Sequence, residues 1–274
     1  MAGPVLARTE PTARLVEAAE VGPHIEVVRR VFAELTDCLR SAPIEQLEAR
    51  LRGWDNYQRA SLGRGATPPL LARDIKSSFS SARTGFESRG EPVLPPETEV
   101  PALADLDEVV RLAARLAVPD VHDDDPLVVT LFLFRVIVRA GQRYQGFLHR
   151  DIDATDAPVG SVIFYPTVTS SNIDGANLGV HLSDRPTEEL EGRDPDVTFA
   201  PHEYEHAAVV LGYPHNLAHG ARPGINPNPA PPETATRTRD DNLREFLEPH
   251  GTTFWKDMAV LTFSRTSAIE DHIV

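Results

Sequence analysis

Apolar positions recur at three- and four-residue steps through the first part of the chain, in Val27, Val28, Val31, Phe32, Leu35 and Leu39. That spacing predicts a helix from about Thr12 towards Leu51. Ser41-Ala42-Pro43 interrupts it, and Pro43, with Glu45 and Glu48 after it, suits the first turn of a second helix ending near Arg52. Residues 1–10 read as a loose tail. Residues 53–100 are polar and broken by Gly and Pro, so they carry no assigned element, and 92–101 reads as a linker. Asp105 can cap a further helix bearing Leu106, Val109, Val110, Leu112, Ala113 and Leu116, stopped by Pro119.

Beyond residue 120 the texture becomes β-branched and aromatic. Leu127–Val138, Gly160–Val168, Asn177–Leu182, His206–Leu211 and Met258–Phe263 read as strands. Turn clusters rather than helices separate them, which argues for an antiparallel sandwich or barrel. The expectation is an α+β chain, mainly β. An N-terminal helical layer (1–120) packs on a β core (121–274), the two forming one structural domain.

Composition narrows the function. The formal net charge is −14, with no basic run, so an electrostatic grip on nucleic acid or on an anionic membrane is not expected. One cysteine, Cys38, excludes an internal disulfide and fits a reducing compartment. No apolar run reaches 18 residues, and the N-terminus lacks a leader pattern. A soluble cytoplasmic protein is expected; oligomeric state is not legible.

The chemistry-bearing residues centre on Leu148-His149-Arg150-Asp151. His149 and Asp151 are two apart, so an extended strand sends both side chains from one face. Ala207–Leu211 then leads through a turn to Asn216-Leu217-Ala218-His219-Gly220, where a third ligand could be returned to the first two. Two imidazoles and one carboxylate form the facial triad that holds non-haem Fe(II) and leaves positions open.

His202-Glu203-Tyr204-Glu205-His206 offers a different metal. It matches the H-E-x-x-H helix of zinc hydrolases, although Pro201 precedes it directly and no extended third-ligand pattern follows. A metal-free binding module is the third class. Among the other histidines, His181 alternates with apolar neighbours and could point into a barrel, and His215 could substitute for His219. His122 with Asp123–Asp125 reads as a solvated turn. Phe132/Phe134 and Phe164/Tyr165 read as core and barrel lining.

The ordered segments FLFRVIV, GFLHRD, GSVIFYP, NIDGANL, AAVVLGYPHNLAHGARP and WKDMAVLTF resemble the 2-oxoglutarate/Fe(II) dioxygenases. More narrowly, they resemble the bacterial free-amino-acid hydroxylases acting on isoleucine-like substrates. The resemblance spans about residues 127–265. It implies a double-stranded β-helix (jelly-roll) and the iron ligands His149, Asp151 and His219. Fe(II), 2-oxoglutarate and O2 would serve as cofactor and co-substrates, and the substrate would be a small molecule such as a free amino acid or derivative. It also implies a basic residue at the start of the last core strand for the far carboxylate of 2-oxoglutarate, a position usually held by arginine. Here Lys256 stands there, which supplies charge but not a bidentate fork. Arg237, Arg239 and Arg265 are rivals, and Arg135, inside an apolar strand, is a further candidate anion partner. An aspartate at 151, rather than Ala or Gly, favours hydroxylation, desaturation or cyclisation over halogenation.

Overall fold

The computed structural model describes residues 12–41, 69–78, 85–88, 100–118, 126–144, 146, 148–150, 158–212, 217–230, 247–249 and 251–265. Its strands are β1 (Ala13–Val16), β2 (Pro69–Ser78), β3 (Gly85–Ser88), β4 (Pro126–Val138), β5 (Arg143–Tyr144), β6 (Pro158–Val168) and β7 (Asp174–Gly175). They continue with β8 (Leu178–His181), β9 (Val197–Phe199), β10 (Ala208–Leu211), β11 (Ala218–Ala221), β12 (Gly224–Ile225) and β13 (Phe254–Arg265). The two long helices are α1 (Ala18–Ser41) and α2 (Leu106–Ala117).

The helical spacing is realised in α1, which buries Val21, Ile25, Val28, Val31, Phe32, Leu35 and Leu39 on one stripe. It starts later than expected, because Ala13–Val16 is an antiparallel strand on β10. The continuation proposed beyond Pro43 lies outside the described residues. In α2, Asp105 occupies the cap position but makes no capping bond; its carboxylate instead meets Arg30 of α1 at 3.1 Å. The helix ends at Ala117, two residues before Pro119.

A seven-stranded antiparallel sheet runs β1-β10-β6-β13-β4-β2-β3. The N-terminal region therefore supplies three strands as well as helices, which corrects the expectation of a purely helical layer with loops. β2 is not visible as a strand in the sequence because PLLARDIKSS mixes apolar and charged residues, and pairing with β4 and β3 organises it. Opposite lie two small sheets, β11-β8-β9 and β5-β12-β7. From β4 onwards the chain alternates between layers: β4, β6, β10 and β13 in the large sheet, β5, β8, β9, β11 and β12 in the small ones.

The two-residue period of the long strands divides their side chains between two cores. Leu131, Leu133, Phe164, Val210, Ala259, Leu261 and Phe263 face α1 and α2. Val136, Ile163, Tyr165, Val209 and Val260 face the small sheets and pack with Leu178, Val180 and Leu217. Gly160 (φ +149°) permits the contact between β6 and the end of α2, since a Cβ there would lie 3.0 Å from the Ala117 carbonyl oxygen.

Arg135 and Asp257 are direct cross-strand partners on the helix side. Arg135 donates to Asp257 through Nε (2.7 Å) and Nη2 (2.9 Å), and through Nη1 to the Leu247 carbonyl (3.2 Å). Its guanidinium lies 4.9 Å from the centre of the Trp255 ring. Burial pushes the Asp257 carboxyl up against the opposing pull of Arg135. Removing one member strands a buried charge, so Arg135→Met or Asp257→Leu is expected to cost about 3–5 kcal/mol in urea unfolding. The double variant should cost well under the sum; strict additivity would show that the pair is not coupled.

Candidate metal and co-substrate site

The last turn before the central cavity brings His149 against β11. His149 and His219 form an isolated antiparallel bridge, each N–H donating to the other's carbonyl at 2.9 Å. Opposed residues of a bridge project to one face, and the two imidazole rings accordingly lie with centres 4.5 Å apart and planes inclined by 50°. β11 is held in turn by β8, with His219 opposite Val180, a residue of the inter-sheet core. His219 is buried, and its Nδ1 lies 3.0 Å from the Leu217 carbonyl oxygen. With Nδ1–H donating there, the neutral ring carries its lone pair on Nε2, the tautomer a metal needs.

The ring spacing fits one ion. With a metal–nitrogen bond of about 2.1 Å and each ring centre roughly 1.1 Å further out, two cis imidazoles place their centres roughly 4.5 Å apart. Asp151 lies outside the described residues. Among the described residues there is no group of three His, Cys, Asp or Glu that could hold a metal.

Both imidazoles line a cavity of about 240 Å³ between the sheets, together with Lys256, Tyr144, Tyr165 and an apolar wall that includes Phe132, Phe134 and Met258. Lys256 is 3 % exposed, and among the described residues its ammonium has no salt bridge and no hydrogen bond. It lies 5.4 Å from the centre of the Tyr144 ring and 5.9 Å from those of Tyr165 and Tyr204. These rings soften the burial of the cation without neutralising it. Desolvation lowers the Lys256 pKa to about 8 and raises that of Tyr144 to about 12. Tyr204, with its ring centre 4.3 Å from that of Tyr165, has a buried hydroxyl without a hydrogen bond among the described residues. Burial and the nearby Tyr144 push its pKa up. A buried ammonium in the same cavity as two imidazoles is an arrangement that could take a carboxylate-bearing ligand.

The other candidates lie elsewhere. Arg135 faces the helices, occupied by Asp257, because β4 alternates and residue 135 has the parity opposite to Phe132, Phe134 and Val136. Arg265 ends β13, nine residues beyond Lys256, a separation of roughly 30 Å along a strand. Arg237, Arg239 and His215 lie outside the described residues. His181 is on the outer face of β8 and not inside the barrel, since Leu178 and Val180 take the inner face. The aromatic pairs divide: Phe132 and Phe134 both line the cavity, whereas Phe164 joins the helix-side core and Tyr165 the cavity.

The zinc-hydrolase alternative loses its helix. Only Pro201–Tyr204 is helical, a single turn, and His206 has φ +60°. Glu203 accepts from the Ala200 N–H, and His206 Nδ1 lies 3.1 Å from the Pro166 carbonyl oxygen. Pro201 starts the turn and Tyr204 is drawn into the core, so the two histidines do not share a helix face. Sequence reasoning missed the tyrosine cup and Arg150. The latter donates to the Ser183 (3.0 Å) and Arg185 (2.7 Å) carbonyls and ties the His149 segment to the loop after β8. No local pattern marks these residues; three separate chain segments, bearing Tyr144, Tyr165 and Tyr204, build the cup.

No family model and no curated protein matches the chain. Among solved structures, it is similar to IDO from Bacillus thuringiensis (TM-score 0.43, 11% identity, 71% of this chain and 73% of that one). It is also similar to a Pseudomonas putida prolyl-4-hydroxylase (TM-score 0.29, 15% identity, 85% and 98%). A third is an oxidoreductase of the 2OG-Fe(II) oxygenase family from Burkholderia pseudomallei (TM-score 0.32, 15% identity, 85% and 91%). These are partial likenesses, and the functional reading rests on the site itself.

Lys256 gives a signed stability prediction. Its folded pKa of about 8 lies below the unfolded value of 10.5, so its burial penalty is full below pH 8 and fades as pH rises towards 10.5. In the ligand-free protein, Lys256→Met should gain about 1–3 kcal/mol at pH 7. Urea titrations at neutral and alkaline pH should show that gain shrinking; an equal gain at both would mean that the ammonium is not desolvated.

Proposed function

We propose that the chain is an Fe(II)- and 2-oxoglutarate-dependent oxygenase that oxidises an unactivated C–H bond of a small molecule. The observation that carries this reading is the convergence on one cavity of the bridged His149–His219 pair and the Lys256 ammonium, which has no hydrogen-bond or ion-pair partner among the described residues. The alternation of antiparallel strands between a large and two small sheets from β4 to β13 supports it, since a double-stranded β-helix would alternate in this way. On this reading His149, Asp151 and His219 hold the iron, and Lys256 takes the far carboxylate of 2-oxoglutarate.

When bound, ferrous ion and 2-oxoglutarate supply O2 activation coupled to decarboxylation, with succinate and CO2 as products. The chain's own residues do the rest. The Leu217 carbonyl fixes the His219 tautomer, and the His149–His219 bridge sets the angle between the two imidazoles. Lys256 offers a charge-assisted hydrogen bond in a site where a carboxylate finds little competing water. Phe132, Phe134, Val136 and Met258 keep the interior apolar, which limits side reactions by excluding water. The substrate is assigned as a free amino acid or close derivative, on the resemblance of GFLHRD and AAVVLGYPHNLAHGARP, and Asp151 favours hydroxylation.

The test is ferrous binding and succinate release from 2-oxoglutarate, screened across free amino acids. His149→Ala, Asp151→Ala and His219→Ala should each reduce metal affinity or turnover by roughly 100-fold or more. Glu203→Ala should leave both within a factor of about two, since its carboxylate serves only the local turn. The opposite ranking would return the zinc-hydrolase reading, and indifference to all metals would indicate a binding module. Lys256→Met should raise the KM for 2-oxoglutarate by roughly tenfold or more with a smaller change in kcat.

A further inference from the structure

The segment that carries His149 touches the small sheet at few points. Among the described residues, its backbone bonds to β11 are the reciprocal pair with His219 and no others. Gly146 lies close against the same strand, since a Cβ there would come within 2.9 Å of the Ala221 nitrogen. One bridge sets the separation of two chains, yet it resists rotation less than a ladder of several pairs does.

The Arg150 side chain supplies a second hold, one residue further on. It is half-buried, borders the histidine cavity, and donates through Nη2 to the carbonyls of Ser183 (3.0 Å) and Arg185 (2.7 Å). One planar NH2 group thus spans two acceptors, which fixes the plane of the guanidinium as well as its position. Asp184, between the two acceptors in sequence, adds an attractive charge. The receiving loop is itself anchored. The Leu182 N–H donates to Asp196 (2.7 Å), the Asp196 N–H to the Val180 carbonyl (3.0 Å), and the Arg185 N–H to Ser183 Oγ (3.2 Å).

These contacts close a ring. His149 is bridged to His219 on β11, His219 is paired with Val180 on β8, and the loop after β8 returns to Arg150. We propose that Arg150 is a positioning residue for the metal site. By clamping onto the 183–185 loop it fixes the chain beside His149, and with it the direction of that imidazole relative to His219. The inference rests on the metal reading above and adds to it a residue that touches neither metal nor substrate. Its effect is opposite in sign to that of charge alone. A guanidinium repels a nearby divalent cation, so neutralising a residue that had no positional role would strengthen metal binding. Releasing the clamp weakens it.

Titration of the full chain with Co(II), followed by calorimetry and by visible absorption, tests this without relying on turnover. Arg150→Gln is expected to weaken Co(II) binding roughly tenfold or more and to alter the absorption band of the bound ion. Arg150→Lys keeps the charge but not the planar fork, so a smaller loss, roughly threefold, is expected. Circular dichroism monitors folding, and Arg150→Lys carries the test if Arg150→Gln does not fold. Affinity equal to or above that of the unaltered chain in the folded variant overturns the proposal. His149→Ala is the control: if it leaves Co(II) binding intact, or if the unaltered chain binds none, the metal reading itself fails and the role of Arg150 falls with it.

Discussion

Two reciprocal backbone hydrogen bonds between His149 and His219 hold the candidate site together. They join a segment outside the named strands to β11, and through β11 to β8 and the inter-sheet core. A bridge of this kind fixes backbone separation and side-chain face at once, and neither imidazole needs a carboxylate to aim it. The cavity, the ring spacing and the His219 tautomer all depend on that register. A slip by one residue would turn one ring to the far side of the sheet.

The same two-residue period governs the charges. Lys256 and Asp257 are neighbours in sequence and lie on opposite faces of β13, one in the inner cavity and the other against Arg135 and the helices. Arg135 and Lys256, the buried cations of the large sheet among the described residues, are therefore treated differently. Arg135 is neutralised by a bidentate carboxylate, which makes it part of the packing between sheet and helix layer. Lys256 meets three aromatic rings and, among the described residues, no carboxylate, and desolvation lowers its pKa to about 8. Its burial cost is not offset there, whereas the cost at Arg135 is offset within the fold.

The sheet β11-β8-β9 has two distinct faces. Its inner side presents His219 and Leu178 to the cavity, and its outer side carries His181. The single helical turn at Pro201–Tyr204 contributes by a different route, since it delivers the Tyr204 ring to the cup around Lys256 rather than two histidines to a zinc ion.

Much of this was local and therefore legible in the chain. Helical spacing in Val27–Leu39 and Leu106–Leu116 and the five long or apolar strands follow from periodicity, which each segment carries in itself. The apolar-to-polar alternation could not tell which face of β4 looks inward, because both faces are buried and both read as hydrophobic; Arg135 stands as a further candidate behind Lys256 for that reason. Polar strands such as β2 become strands only when an edge is offered to them. The bridge between residues 149 and 219, the separation of Lys256 from Asp257 and the tyrosine cup join segments distant in sequence, and strand register alone decides them.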